Sequence, residues 1–213
     1  VTEHVTERAV ERAVEHAAGR GHDAVVVAGG AGRRLGGVDK PALTVGGRPL
    51  LDRVLAACAD AREVLVVGPE RPTERAGARW LREDPPGGGP LAAVAAALPA
   101  VSAPRVLLLA ADLPFLDAGT VRRLLAALDD PARDGALLTD ATGRDQPLAA
   151  AYRTTALRAA LAALGDPADR PLRHLLADLR LARLPDPADA SFDCDTWTDL
   201  AEARDREAGP GAR

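Results

Sequence analysis

Four short apolar runs constrain this chain more than anything else in it: DAVVVAGG at 23–30, REVLVVG at 62–68, PRVLLLAAD at 104–112 and DGALLTD at 134–140. None alternates with polar residues. A strand with water on one face alternates, whereas an unbroken run bounded by turn residues is covered on both faces, as parallel strands are. Between the runs the apolar spacing becomes that of a helix. Leu51, Val54, Leu55 and Cys58 form one stripe, and Leu91, Val94, Ala95 and Leu98 form another behind Pro90, which suits a first helical turn. Val121, Leu124, Leu125 and Leu128 repeat the i, i+3, i+4, i+7 pattern. Strands alternating with helices imply an α/β fold with a largely parallel sheet and right-handed crossovers.

With 213 residues the chain suits one such domain. A hydrophobic share of 47% beside 27% charged residues is globular, and only 2% aromatics means a core packed from Ala, Val and Leu. There is no Asn, Ile or Met, and only one Lys and one Gln, which reads as a strong GC bias in the coding DNA. Lys40 and Gln146 survive that bias and so draw interest. The net charge of −4 gives no support to a nucleic-acid or anionic-membrane partner. No apolar run approaches the roughly 20 residues of a membrane span.

Residues 1–21 read as a polar helical extension whose apolar positions are mostly alanine, with no signal-peptide core. Residues 22–207 form the expected domain, 208–213 a disordered tail, and the expected location is the cytoplasm. Cys58 and Cys194 are expected to be free thiols.

The unusual residues fall where such a sheet binds ligands. The loop in VVVAGGAGRRLGGVDKP (25–41) follows the first strand, EDPPGGGPLAAV (83–94) follows the short ARWLRE, and Asp112 ends PRVLLLAAD. All three lie at carboxyl ends of strands, so one pocket is implied. A glycine-rich turn lets backbone N–H groups close on an anion, and Arg33, Arg34 and Lys40 add positive charge, which suits a polyphosphate. The dinucleotide fingerprint fails because Leu35 stands where the third glycine belongs, and no Gly-Lys-Ser/Thr occurs. Plainer readings remain for each residue. A glycine loop can be a simple turn, Asp112 can cap the next turn, and Asp193 and Asp195 can be loop or cap carboxylates. His174 reads as a solvated helix residue, and Trp80 and Tyr152 as packing.

Together these segments resemble a known family. VVVAGGAGRRLGGVDKPAL is similar to the L-A-G-G-x-x-x-R-M/L-G-G-x-D-K signature of the molybdenum cofactor guanylyltransferases, within the nucleotidyltransferase superfamily. GGRPLLDRVL, EDPPGGGPLAAV, LLAADLPFL, GRDQPLAAAYR and FDCDTWTDL resemble that family's later segments in the same order, across 23–205. The resemblance implies a three-layer α/β/α Rossmann-like sandwich and transfer of GMP from GTP, with Mg²⁺, to molybdenum–molybdopterin. Molybdoenzymes or their chaperones are candidate contacts.

By position, it implies that backbone groups of Val27, Ala28 and Gly29 meet the guanine while Gly30 and Gly32 wrap the nucleotide. Arg34 and Lys40 would neutralise the β- and γ-phosphates. Asp112 would hold Mg²⁺, with Asp193 and Asp195 beside it, and Asp84 aligns with a nucleotide-binding aspartate. Arg144, Asp145 and Gln146 would border the pterin.

The chain also departs from that pattern. The family's closing Asn-x-Asn-Thr-Pro-Glu-Asp-Leu is here Asp193-Cys194-Asp195-Thr196-Trp197-Thr198-Asp199-Leu200. Asparagine to aspartate keeps an oxygen ligand and adds charge. A GTP-contacting asparagine falls at Gly68, which has no side chain. The alternatives are a cytidylyltransferase on the same cofactor, a nucleotidyltransferase acting on a phosphorylated sugar or alcohol, or a non-catalytic nucleotide-binding subunit.

Overall fold

A computed structural model describes residues 21–30, 35–84, 86–168 and 170–209. The extension read at 1–21 and the tail at 208–213 therefore lie almost wholly outside the described residues, as do Gly32, Arg33 and Arg34. The first strand, β1 (His22–Val27), leads through the glycine loop to a hairpin of β2 (Thr44–Val45) and β3 (Arg48–Pro49). Helix α1 (Leu50–Ala57), β4 (Val64–Val67), β5 (Arg79–Leu81) and α2 (Gly89–Ala97) follow. Next come β6 (Arg105–Ala110), α3 (Ala118–Ala126), β7 (Gly135–Thr139), β8 (Asp145–Arg153) and α4 (Thr154–Leu164). The described chain closes with α5 (Arg173–Leu176), β9 (Leu181–Pro185) and α6 (Trp197–Ala208).

Among the described residues, seven strands make the main sheet in the order β5-β4-β1-β6-β8-β7-β9. β8 runs antiparallel to both its neighbours, while β5, β4, β1 and β6 pair in parallel, as does β7 with β9. The unbroken apolar runs are covered on both faces, as read. Val26, Leu107 and Leu109 pack with Leu51, Val54 and Leu55 of α1 and Val121 and Leu124 of α3. Val25, Val67 and Leu108 face the other way, against Leu91 and Val94 of α2 and Leu157 of α4. Alternate residues of one strand thus feed two separate cores, which gives the three layers.

β8 was not legible as a strand. Its centre, Ala149-Ala150-Ala151, has no β-branched residue and reads as neutral or helical. It is extended because β6 and β7 flank it: the three alanines oppose Leu109, Leu108 and Leu107, and all three are buried. The resulting sheet is mostly parallel, with one reversed strand near its middle.

Gly68, at the end of β4, has a structural reason to lack a side chain. Its φ is +152°, and a β-carbon there would lie 2.7 Å from the carbonyl carbon and oxygen of Ala28. The glycine loop leaves the sheet so close to β4 that only glycine fits beside it.

Two outcomes test this packing. Gly68→Ala should destabilise the protein by about 2 kcal/mol, a fall of about 4–8 °C in Tm by calorimetry, because backbone must move to admit the methyl group. Cys58 and Cys194 are free and fully buried, and burial pushes both thiols up to about 12. Neither should react with a disulfide reagent such as DTNB at pH 8 in the native protein, and both should react in guanidinium chloride.

Candidate active site

Because β1 pairs with β6 in register from His22↔Arg105 to Val27↔Ala110, whatever follows these two strands emerges side by side. The exit of β1 is anchored: the Ala28 N–H donates to the Val67 carbonyl at 2.8 Å, and the Ala111 N–H donates to the Val27 carbonyl at 3.1 Å. β6 continues through Ala111 to Asp112. The segment before α6 returns to the same point, where the Cys194 N–H donates to the Asp112 carbonyl at 3.3 Å. Immediately afterwards a capping box starts α6. The Thr196 hydroxyl accepts from the Asp199 N–H at 3.2 Å, and the Asp199 carboxylate accepts from the Thr196 N–H at 2.6 Å. Asp193 and Asp195 are thereby fixed between two anchors.

The result is a carboxylate cluster. One oxygen from each of Asp112, Asp193 and Asp195 lies within 4.8 Å of the others. Lys40 enters from the far end of the glycine loop, on a single turn (Lys40–Ala42) in which Pro41 restricts the backbone. Its ammonium pairs with the Asp112 carboxylate and lies 2.6 Å from Asp195 Oδ1. Burial alone would lower the lysine's pKa, but Asp112 first and then Asp195 outweigh it and hold the pKa raised, so Lys40 is charged. Withdrawal from water, and then the like charges of Asp112 and Asp195, push the Asp193 carboxyl up. Asp112 Oδ1 is buried and meets no hydrogen-bond donor among the described residues.

A cleft of about 440 Å³ opens over this cluster, lined by Val27, Gly29, Gly30, Lys40, Asp112 and Asp195 among others. It shares Val27, Gly29, Gly30 and Pro90 with a second chamber of about 390 Å³ beside Glu83, Gly87 and Gly89. Both volumes suit a small ligand. Ala28 does not line either chamber; it is buried, and Arg71 Nη1 lies 3.4 Å from its carbonyl.

Two residues here were missed by the sequence reading. Arg71 forks onto Asp39 at 3.0 and 2.8 Å and lies over the Trp80 ring at 5.8 Å, so it fixes the residue directly before Lys40. Glu83 lines the second chamber and accepts from the Gly87 N–H at 3.0 Å. Its neighbour Asp84 is exposed and outside the lining. The signal for Glu83 was its place just past β5, but two adjacent acids do not reveal which one turns inward.

Arg144, Asp145 and Gln146 sit on the β7–β8 hairpin. Asp145 pairs with Arg183 at 2.8 Å, and Gln146 Nε2 donates to Asp140 at 2.8 Å. The Asp140 carboxyl is held down at about 2, chiefly by the Thr142 hydroxyl and then by the Arg144 N–H. From this strand, Leu148 is the residue that reaches the first chamber. Arg144 is exposed. Trp197, at the start of α6, is 52% exposed.

Comparison with known proteins places this geometry. The profile of the MobA-like NTP transferase domain matches residues 24–184. A molybdenum cofactor guanylyltransferase from Bradyrhizobium sp. is 34% identical over 191 residues, covering 84% of this chain and 90% of that protein. Among solved structures, 2-C-methyl-D-erythritol 4-phosphate cytidylyltransferase from Thermus thermophilus aligns with a TM-score of 0.67 at 29% identity, covering 87% of this chain and 98% of that one. Molybdopterin-guanine dinucleotide biosynthesis protein A from Archaeoglobus fulgidus aligns with a TM-score of 0.65 at 23% identity, over 85% and 96% of the two chains, and shares the fold.

The crowding of like charge has a measurable consequence. Ionised Asp193 has a raised pKa in the folded state, so it opposes folding at neutral pH and stops doing so once protonated. In a chelator, Asp193→Asn should raise Tm at pH 7.5, and the gain should shrink as the pH falls through the carboxyl's raised pKa. A gain that is independent of pH would deny the charge argument.

Proposed function

The chain belongs to the MobA-like NTP transferase family and is a nucleotidyltransferase, and on that premise we propose that it transfers GMP from GTP to the molybdenum–molybdopterin cofactor, with Mg²⁺, releasing pyrophosphate. The observation that carries this reading is the meeting of Lys40 with Asp112, Asp193 and Asp195 at the mouth of the glycine loop. A phosphate oxygen of the acceptor attacks the α-phosphorus of the nucleotide, and the bond to the bridging oxygen breaks to release pyrophosphate. Such a displacement needs alignment and charge cancellation more than covalent help.

The donor set fits a hard divalent cation, with three carboxylates and one buried oxygen, Asp112 Oδ1, that lacks a donor among the described residues. Bound there, Mg²⁺ would neutralise phosphate charge at the reacting centre. Lys40 supplies a permanent positive charge for the leaving phosphates; the family resemblance assigns Arg34, which lies outside the described residues, the same role. Gly29 and Gly30, which carry no side chains into the cleft, let the nucleotide approach the backbone. The surroundings of Gly68 leave base selection to other groups.

Glu83 suits guanine. Its carboxylate accepts, and guanine presents an N1–H and N2–H₂ donor edge, whereas cytosine presents acceptors along most of its pairing edge. Transfer from CTP is the second reading, favoured by the identity to the Thermus cytidylyltransferase, which is higher than that to the Archaeoglobus protein.

The deciding measurement is kcat/KM for GTP and for CTP with the molybdopterin acceptor. GTP is expected to lead by tenfold or more, about the cost of one unpaired buried group, and Glu83→Gln should erode that lead. A ratio below one selects the cytidylyl reading. Lys40→Met should lower kcat/KM by about a hundredfold or more, comparable to losing a strong electrostatic contact at the transition state.

A further inference from the structure

Lys40 is the single lysine of the chain, and its ammonium is engaged by carboxylates that line the same cleft. It pairs with Asp112 and lies 2.6 Å from Asp195 Oδ1, with its side chain only 17% exposed. Both carboxylates belong to the cluster that fits a divalent cation. We propose that Lys40 is a resident counter-ion of that seat: without ligand its ammonium stands in for the divalent cation and must move aside before the cation settles, so cation and polyphosphate bind as a coupled pair. The inference rests on the metal reading above.

The physical argument has three parts. Three carboxylates with oxygens within 4.8 Å of one another carry like charge that the fold must offset without ligand. The neighbouring guanidinium, Arg71, is committed to Asp39 in a two-bond fork, whereas Lys40 reaches two of the three acids. Second, a compact ammonium and a divalent cation compete for the same carboxylates. Lys40 holds Oδ2 of Asp112 and Oδ1 of Asp195, and a cation bound to oxygens of those same groups would lie only a few ångströms from the ammonium, where two positive charges repel. Third, a displaced ammonium needs a new anion. Its four-carbon stem can turn, and Gly29, Gly30 and Lys40 border one cleft, so a polyphosphate lying along the glycine loop would receive it. A cation arriving alone must break two ion pairs without replacement; a cation arriving with polyphosphate exchanges them. By linkage each ligand then tightens the other by the same factor.

The test needs no turnover. Free Mn²⁺ is measured by electron paramagnetic resonance during titration of the full chain without nucleotide, for wild type, Lys40→Met and Lys40→Arg. Lys40→Met is expected to bind Mn²⁺ about tenfold more tightly than wild type, within the usual range of coupling between sites, and Lys40→Arg should remain as weak as wild type. Adding a non-hydrolysable GTP analogue should tighten Mn²⁺ on wild type by more than on Lys40→Met. The unique lysine permits a second reading on the unaltered protein. Saturating Mn²⁺ should speed acetylation of Lys40 severalfold, followed by peptide mapping, because the side chain loses both carboxylate partners. Equal Mn²⁺ affinities for wild type and Lys40→Met, or acetylation unchanged by metal, would overturn the proposal. If Lys40→Met does not fold, acetylation of wild type decides. Absence of Mn²⁺ binding even with the nucleotide analogue would fell the metal reading itself, whereas binding with the analogue but no gain in Lys40→Met would fell only the counter-ion role.

Discussion

The parallel pairing of β1 with β6 is the constraint from which the rest of the site follows. Its register sets Val27 opposite Ala110, so the glycine loop and Asp112 leave the sheet at one edge and from adjacent strands. Neither segment is catalytic by composition alone. Their adjacency is enforced by the apolar residues beneath: Val26 and Leu109 go to one core, Val25 and Leu108 to the other, and both are fully buried. A one-residue slip would exchange the two faces and move Asp112 out of line. Two sealed cores thus hold the geometry of the polar rim above them.

That rim is an electrostatic balance. Three acids meet because the chain returns to β6 through the Cys194–Asp112 backbone bond and then starts α6 with a capping box. One lysine, held at its turn by Pro41 and by the Arg71–Asp39 fork beside it, faces them. Opposite charges brought from three separate parts of the chain into a partly buried cleft interact more strongly than on the surface. The same closeness makes the cluster responsive, since a ligand that changes the charge on one side changes what the other side must do.

Much of this was legible in the residues. The runs that became β1, β4, β6 and β7 have no polar alternation, and the helical stripes of α1, α2 and α3 keep their period. Lys40 stood out because the chain has no other lysine, and Asp112 because it ends an apolar strand. Asp193 and Asp195 emerged from resemblance to a family motif, since nothing in their local pattern separates them from other loop acids. β8 stayed hidden because three alanines carry no strand preference until flanking strands impose it. Arg71 and Glu83 were hidden for another reason. The chain is rich in arginine and acidic residues, and only the close approach of the β4–β5 end to the glycine loop shows which of them face the site.

The most direct measurement is a crystal structure with Mn²⁺ and a non-hydrolysable GTP analogue, using manganese anomalous scattering to place the ion. The account predicts an anomalous peak bounded by carboxylate oxygens of Asp112 and at least one of Asp193 and Asp195, with Lys40 Nζ moved onto phosphate oxygen and the purine beside Glu83. A peak away from Asp112, or a nucleotide bound with Lys40 still paired to Asp112 and Asp195, would contradict it.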